Sequence, residues 1–212
     1  LAKKHEGKLV VVCLGPLTNV AKFIAEHPEE AKKVSRFVVM GGSVAVGYDG
    51  AAKPEPEWNI KCDIPSAKAV FASGLPLTVI PLDATATAKL DKAAREKLFS
   101  AHTMLTWQLQ NLYELWDKET PVLFDPVAVA AVFDEKPLTF KEMRLEVGDS
   151  GLTRVHDGKP NMRVATAIKA GDFVNWYVQR VRTFGPAVLP EKPKNVSKLI
   201  EPGSFPAKVH VA

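Results

Sequence analysis

Three short runs dominate the first half of the chain: Leu9-Val10-Val11-Val12-Cys13-Leu14, Phe37-Val38-Val39-Met40 and Leu77-Thr78-Val79-Ile80. Each is continuous, apolar apart from Thr78, and rich in β-branched side chains, with no apolar–polar alternation. A strand of that kind is apolar on both faces, so it belongs inside a parallel sheet covered by helices on either side. The segments between the runs have helix length. After the first run, Gly15-Pro16 stops the strand, Thr18 or Asn19 stands near a helix start, and Val20, Phe23 and Ile24 form a buried face that ends near Pro28. After the second, Gly41-Gly42 ends the strand and a helix is expected over about 65–73, closed by Gly74. Strand, helix, strand, helix, strand in this order gives right-handed crossovers and a mostly parallel, Rossmann-like α/β fold with flanking helices.

The rest of the chain is read with the same rules. Residues 91–118 turn helical, and Leu105, Leu109, Leu112 and Trp116 fall on one stripe, expected to face the core. Asp125-Pro126 opens an apolar helix running to Phe133. A β-rich stretch covers about 138–155, His156 is expected in a β-turn, and a last helix over about 171–183 presents Phe173, Trp176, Tyr177 and Val181 to the interior. Residues 185–212 carry five prolines and little periodicity. The domain is therefore drawn at 1–184, with 185–212 as a Pro-rich tail.

Composition limits the function. The chain has 212 residues, 46% hydrophobic and 25% charged, with a net charge of +4. Lys and Arg are scattered among Asp and Glu, with no basic block interleaved with aromatics, so a nucleic-acid partner is not expected. No stretch reaches the roughly 18 apolar residues that a membrane span needs. The two cysteines, Cys13 and Cys62, make no disulfide framework and no metal spacing. Nothing fixes the compartment, although the cytoplasm is favoured; a homo-oligomer is allowed.

Ligands of open α/β sheets bind beyond the carboxyl ends of the strands. Leu14, Met40 and Pro81-Leu82-Asp83 stand at such ends. The loop from Gly41 ends in Glu57-Trp58-Asn59, where an extended backbone would aim the carboxylate and the amide the same way. Such a pair suits a polyhydroxylated ligand, but it suits a solvated loop edge equally. Asp125 before Pro126 reads as a helix N-cap, or as a carboxylate facing a cleft and a hard cation. The residues alone stop at an α/β protein with a polar cleft.

Several segments together resemble one family, the inosine–uridine-preferring nucleoside hydrolases. They are Leu14-Gly15-Pro16-Leu17-Thr18-Asn19-Val20-Ala21, Val38-Val39-Met40-Gly41-Gly42, Glu57-Trp58-Asn59, Asp63 with Ala67 and Phe71, Pro81-Leu82-Asp83-Ala84-Thr85, and Asp125-Pro126-Val127-Ala128-Val129-Ala130. Their order and spacing over about residues 9–184 carry the resemblance. It implies calcium-assisted hydrolysis of the N-glycosidic bond of a ribonucleoside, as in nucleoside salvage. It also implies roles: the Leu14 carbonyl and Asp125 as calcium ligands, Asp125 on a ribose hydroxyl, Glu57 and Asn59 on the ribose, and Met40 against the sugar.

The chain departs from that family pattern in three ways. The aspartate-rich segment that supplies further calcium ligands, the catalytic base and the central strand is absent. A longer protein is therefore expected, these residues alone being inactive. Phe124 stands where many members have a histidine that protonates the leaving base. The loop after Met40-Gly41-Gly42 is longer and reads Gly47-Tyr48-Asp49-Gly50, so Asp49 or Tyr48 takes the place of the family's asparagine beside the sugar. These departures keep a second reading open, a non-catalytic protein that binds a nucleoside or ribose-like ligand.

Overall fold

A computed structural model describes residues 1–116 and 119–184. The expected Pro-rich tail, 185–212, lies outside the described residues. Six strands form one sheet in the order β1-β2-β3-β6-β4-β5. The three apolar runs become β1 (Val10–Cys13), β2 (Arg36–Met40) and β3 (Leu77–Ile80), all parallel. β4 (Leu138–Val147) and β5 (Thr153–His156) form an antiparallel hairpin, and β6 (Met162–Ile168) joins β3 in parallel and β4 in antiparallel register.

Period-two alternation sends the strands' side chains to two separate cores. Phe37, Val39, Val79 and Val164 face α1 (Thr18–Glu26), α2 (Pro28–Ala31), α3 (Trp58–Cys62) and α4 (Ile64–Phe71). Val38, Met40, Ile80 and Ala165 face α5 (Leu82–Thr85), α6 (Lys92–Phe99), α7 (Met104–Trp116), α8 (Phe124–Phe133) and α9 (Ala170–Arg182). Phe37, Val38 and Val39 have no exposed surface at all, as the unbroken apolar run requires. Cys13 is a core residue whose burial pushes its thiol up to about 11.

β1 is the exception. It pairs with β2 only, among the described residues, and Val10, Val11 and Val12 are half-buried although they are as apolar as their neighbours in β2. An edge strand this apolar leaves both backbone groups and side chains uncovered.

Some sequence expectations change. The helical stretch expected from 91 divides, among the described residues, into α6 and α7: His102 adopts φ 50, and the Thr103 hydroxyl accepts from Thr106 N at 3.2 Å to start α7 afresh. The Leu105-to-Trp116 stripe does not face the core. Leu112 is 63% exposed and Trp116 46%, while the buried residue of α7 is Thr106. The helix rests on α6 and α9 by one side, and its stripe lines an open groove instead. Glu57-Trp58-Asn59 is not extended; it starts α3, for a reason given below. His156 ends β5 rather than sitting in a turn, with Nε2 3.6 Å from Glu146.

Candidate functional site

At the carboxyl ends of β1 and β2 the chain opens a cavity of about 330 Å³. Leu14 and Met40 come from the strand ends, Tyr48, Glu57, Trp58 and Asn59 from the long loop and the start of α3, and Val122, Phe124, Asp125 and Pro126 from the start of α8. Residues far apart in sequence thus share one wall. Of the side chains singled out from sequence, Leu14, Met40, Glu57, Asn59 and Asp125 are all in it.

Glu57 organises the near side. It is 3% exposed, and its carboxylate caps α3: Oε1 accepts from Asn59 N at 3.1 Å and Oε2 from Ile60 N at 3.2 Å. Oε2 also accepts from Gly42 N at 3.2 Å, tying the turn after β2 to the helix. Two acidic oxygens satisfying donors that a helix start leaves orphaned explain why this tripeptide coils rather than extends. Burial holds the Glu57 carboxyl above the usual carboxylate range, with the charge of Asp125 adding to it, against the three N–H donors that pull it down. The turn it grips needs glycine: Gly42 has φ 89, and a Cβ there would lie 2.9 Å from Thr153 Oγ1.

Asn59 follows from the same cap. Its Nδ2 donates to the Met40 carbonyl at 3.1 Å, which fixes the amide over the end of β2. The rest of the loop is clamped from below. Asp83, in the strand-end Pro-Leu-Asp segment, accepts from Val44 N and Ala45 N, both at 2.8 Å. Its place is under the loop, outside the cavity lining.

Asp125 is not the N-cap of α8. That position is Leu123, which makes no side-chain cap bond, and Asp125 falls one residue inside the helix. Its half-buried carboxyl is held above the usual aspartate value by desolvation, and no hydrogen bond or cation acts on it among the described residues. Partial loss of water disfavours the ionised form of a carboxylate on a cavity wall, and no donor among the described residues offsets that.

The family model for the inosine-uridine preferring nucleoside hydrolases matches residues 1–175. The chain belongs to this family. A pyrimidine-specific ribonucleoside hydrolase, RihA, of Enterobacter sp. (strain 638) is 29% identical, with 86% of this chain and 63% of that protein covered. A solved purine-preferring ribonucleoside hydrolase from Gardnerella vaginalis superposes with a TM-score of 0.74 at 27% identity, over 85% of this chain and 62% of that one. The inosine-uridine preferring nucleoside hydrolase of Bacillus anthracis gives 0.70 at 23% identity, over 85% and 62%, which shows the shared fold. The chain therefore spans about 62–63% of the length of the curated relatives it matches.

Against the nucleoside hydrolase pattern, two of the expected positions separate. Asp49 does not line the cavity. Its side chain is 85% exposed and stands 3.5 Å from Lys89, because φ 57 at this residue turns it outward. Tyr48, the alternative, points into the cavity with its ring edge-on to Phe124, centroids 6.2 Å apart. Trp58 and Val122 also line the wall and carried no sequence signal that singled them out. His102 is exposed and stands outside it.

The cavity lining holds two of the expected calcium ligands, Leu14 and Asp125. Calcium takes roughly six to eight oxygen ligands. Among the described residues no three of His, Cys, Asp and Glu come together as a metal cluster. Asp125 and the backbone of Leu14 do not make a calcium site by themselves, so no chemical step is routed through a metal here.

Proposed function

We propose that the cavity is the sugar-gripping half of an N-ribohydrolase site, acting in a longer protein on ribonucleosides. The observation that carries this reading is the half-buried Asp125 carboxylate, which has no hydrogen-bond or ion-pair partner among the described residues, on the same wall as Glu57, Asn59 and Met40. Hydrolysis breaks the bond between C1′ and the base nitrogen, and water supplies hydroxyl to C1′ and a proton to the departing base. Its transition state is oxocarbenium-like. Carboxylates fixed beside the ribose favour that positive charge more than they favour the neutral substrate, which is the requirement for rate acceleration. Asn59 and Asp125 bind ribose hydroxyls, and Met40 forms the floor under the sugar. Glu57 acts with them while holding α3 and the turn after β2.

Calcium completes the site in this reading, with Asp125 and the Leu14 carbonyl as two of its ligands. The others come from outside the described residues, and the 212 residues alone hydrolyse little. Phe124 has no proton to give, so the base departs as a delocalised anion or takes its proton from another group. The pyrimidine specificity of the RihA relatives is the ground for expecting a pyrimidine nucleoside as substrate. The experiment is ribose release from uridine, cytidine and inosine by the full-length gene product, with and without a calcium chelator. Calcium-dependent release, uridine ahead of inosine, is the expected result. Saturable nucleoside binding with no release would instead favour the ligand-binding reading that Phe124 motivates, and absence of both would end the proposal.

A further inference from the structure

The cavity contains one hydroxyl whose proton the protein leaves unused. We propose that Tyr48 donates that proton in a hydrogen bond to a ribose hydroxyl oxygen of the bound nucleoside, while its ring and Phe124 form the apolar wall against the base. The proposal rests on the ribonucleoside reading above and names the residue that discriminates within it.

Tyr48 is held from three sides. Its backbone N donates to Glu55 Oε1 at 3.2 Å, and its ring meets Phe124 edge-on at an interplanar angle of 80°. Its Oη accepts from Trp58 N at 2.8 Å. A phenol has one proton to donate and two lone pairs to accept with. The Trp58 bond uses a lone pair, so the proton remains, and no acceptor among the described residues takes it. Burial raises the phenol's pKa, so the group stays a donor throughout the neutral range. The bond to Trp58 puts Oη beside the Glu57–Asn59 segment, which is proposed to hold the sugar. The Phe124 contact sets the ring against the start of α8, leaving an apolar surface in the same cavity lining. Asp49 is thereby relieved of the role: it is exposed and near Lys89.

The experiment compares wild type with Tyr48→Phe in the full-length gene product, on uridine and on its 2′-, 3′- and 5′-deoxy analogues. Dissociation constants are measured beside kcat/KM, so that the comparison holds with or without turnover. Phenylalanine keeps the ring on Phe124, and a thermal melt checks that the fold survives. A donor to one ribose hydroxyl oxygen predicts a roughly tenfold loss on uridine. It predicts a similar loss on two of the deoxy analogues, and little or none on the third, which already lacks the acceptor. A uniform loss on all four substrates would mean that Tyr48 only positions Trp58, and no loss would remove it from the site; either overturns the proposal. Wild type that neither binds nor cleaves uridine would sink the ribohydrolase reading itself, and the Tyr48 assignment with it.

Discussion

Glu57 and Asp125 are the two carboxylates of one cavity, and the fold treats them differently. Glu57 is built in: three backbone donors depend on it. Glu57→Ala strands these buried N–H groups and is expected to lower stability by about 2–4 kcal/mol, read from chemical denaturation. Asp125 is not built in: among the described residues no hydrogen bond depends on it. Asp125→Asn should leave the melting temperature within about 2 °C of wild type, or raise it, while nucleoside binding collapses. A melt showing the opposite pattern would mean the roles are exchanged. Both carboxyls sit above their ordinary values because burial disfavours the charged form. Their protonated forms are therefore favoured in the folded state. That contribution to stability is full below the unfolded-state values of about 4 and fades as pH rises through the raised folded ones. Stability measured across mildly acidic pH should decline with rising pH for this reason, and Asp125→Asn should flatten the decline. Ligand binding at Asp125 runs the other way, because it needs the ionised form, and should weaken at a higher pH than for an ordinary aspartate.

At the scale of elements, legibility followed burial. β1, β2 and β3 were readable because a strand covered on both faces has only one kind of sequence available to it. α7 was misread because an apolar stripe says that a helix has a greasy side, not that the rest of the molecule covers it. The difference is measurable. Phe37→Ala, in the middle of β2, should cost about 3–5 kcal/mol. Leu112→Lys, 63% exposed on α7, should change stability by no more than about 0.5 kcal/mol. α3 was missed for another reason: its cap is a glutamate whose second oxygen bonds a turn fifteen residues earlier, and a long-range bond leaves no local pattern. The site was legible only as a set. The joint spacing that carries the family resemblance pointed to Leu14, Met40, Glu57, Asn59 and Asp125, which line one cavity, whereas which of Asp49 and Tyr48 lines it depends on a local backbone conformation that the sequence does not display.

The described residues form one six-stranded sheet with the candidate cavity at the carboxyl ends of β1 and β2. At the amino end of β2, Glu135 joins Arg36 at 3.0 Å and Arg163 at 2.7 Å, and Arg163 lies 3.7 Å over Phe140. This cluster fastens α8 to β2 and β6 and leaves no carboxylate unmatched, in contrast to Asp125 at the opposite rim. β1, apolar yet half-covered, marks the side on which the sheet has surface to bury. A strand laid along it would stand next to Leu14 and the cavity, where the proposed site lacks its remaining oxygen ligands. Hydrogen exchange is expected to be fast at the free-edge amides of β1 in the 212-residue chain and slow in the full-length gene product.

The central claim is that the strand-end cavity grips a ribose through a carboxylate that the fold itself does not use. The measurement closest to it is ribose release from uridine by the full-length gene product and by its Asp125→Ala variant, at matched calcium and with melts recorded for both. The account predicts a drop of at least about a hundredfold in turnover with an unchanged melting temperature. Turnover equal to wild type in a folded Asp125→Ala protein would contradict it.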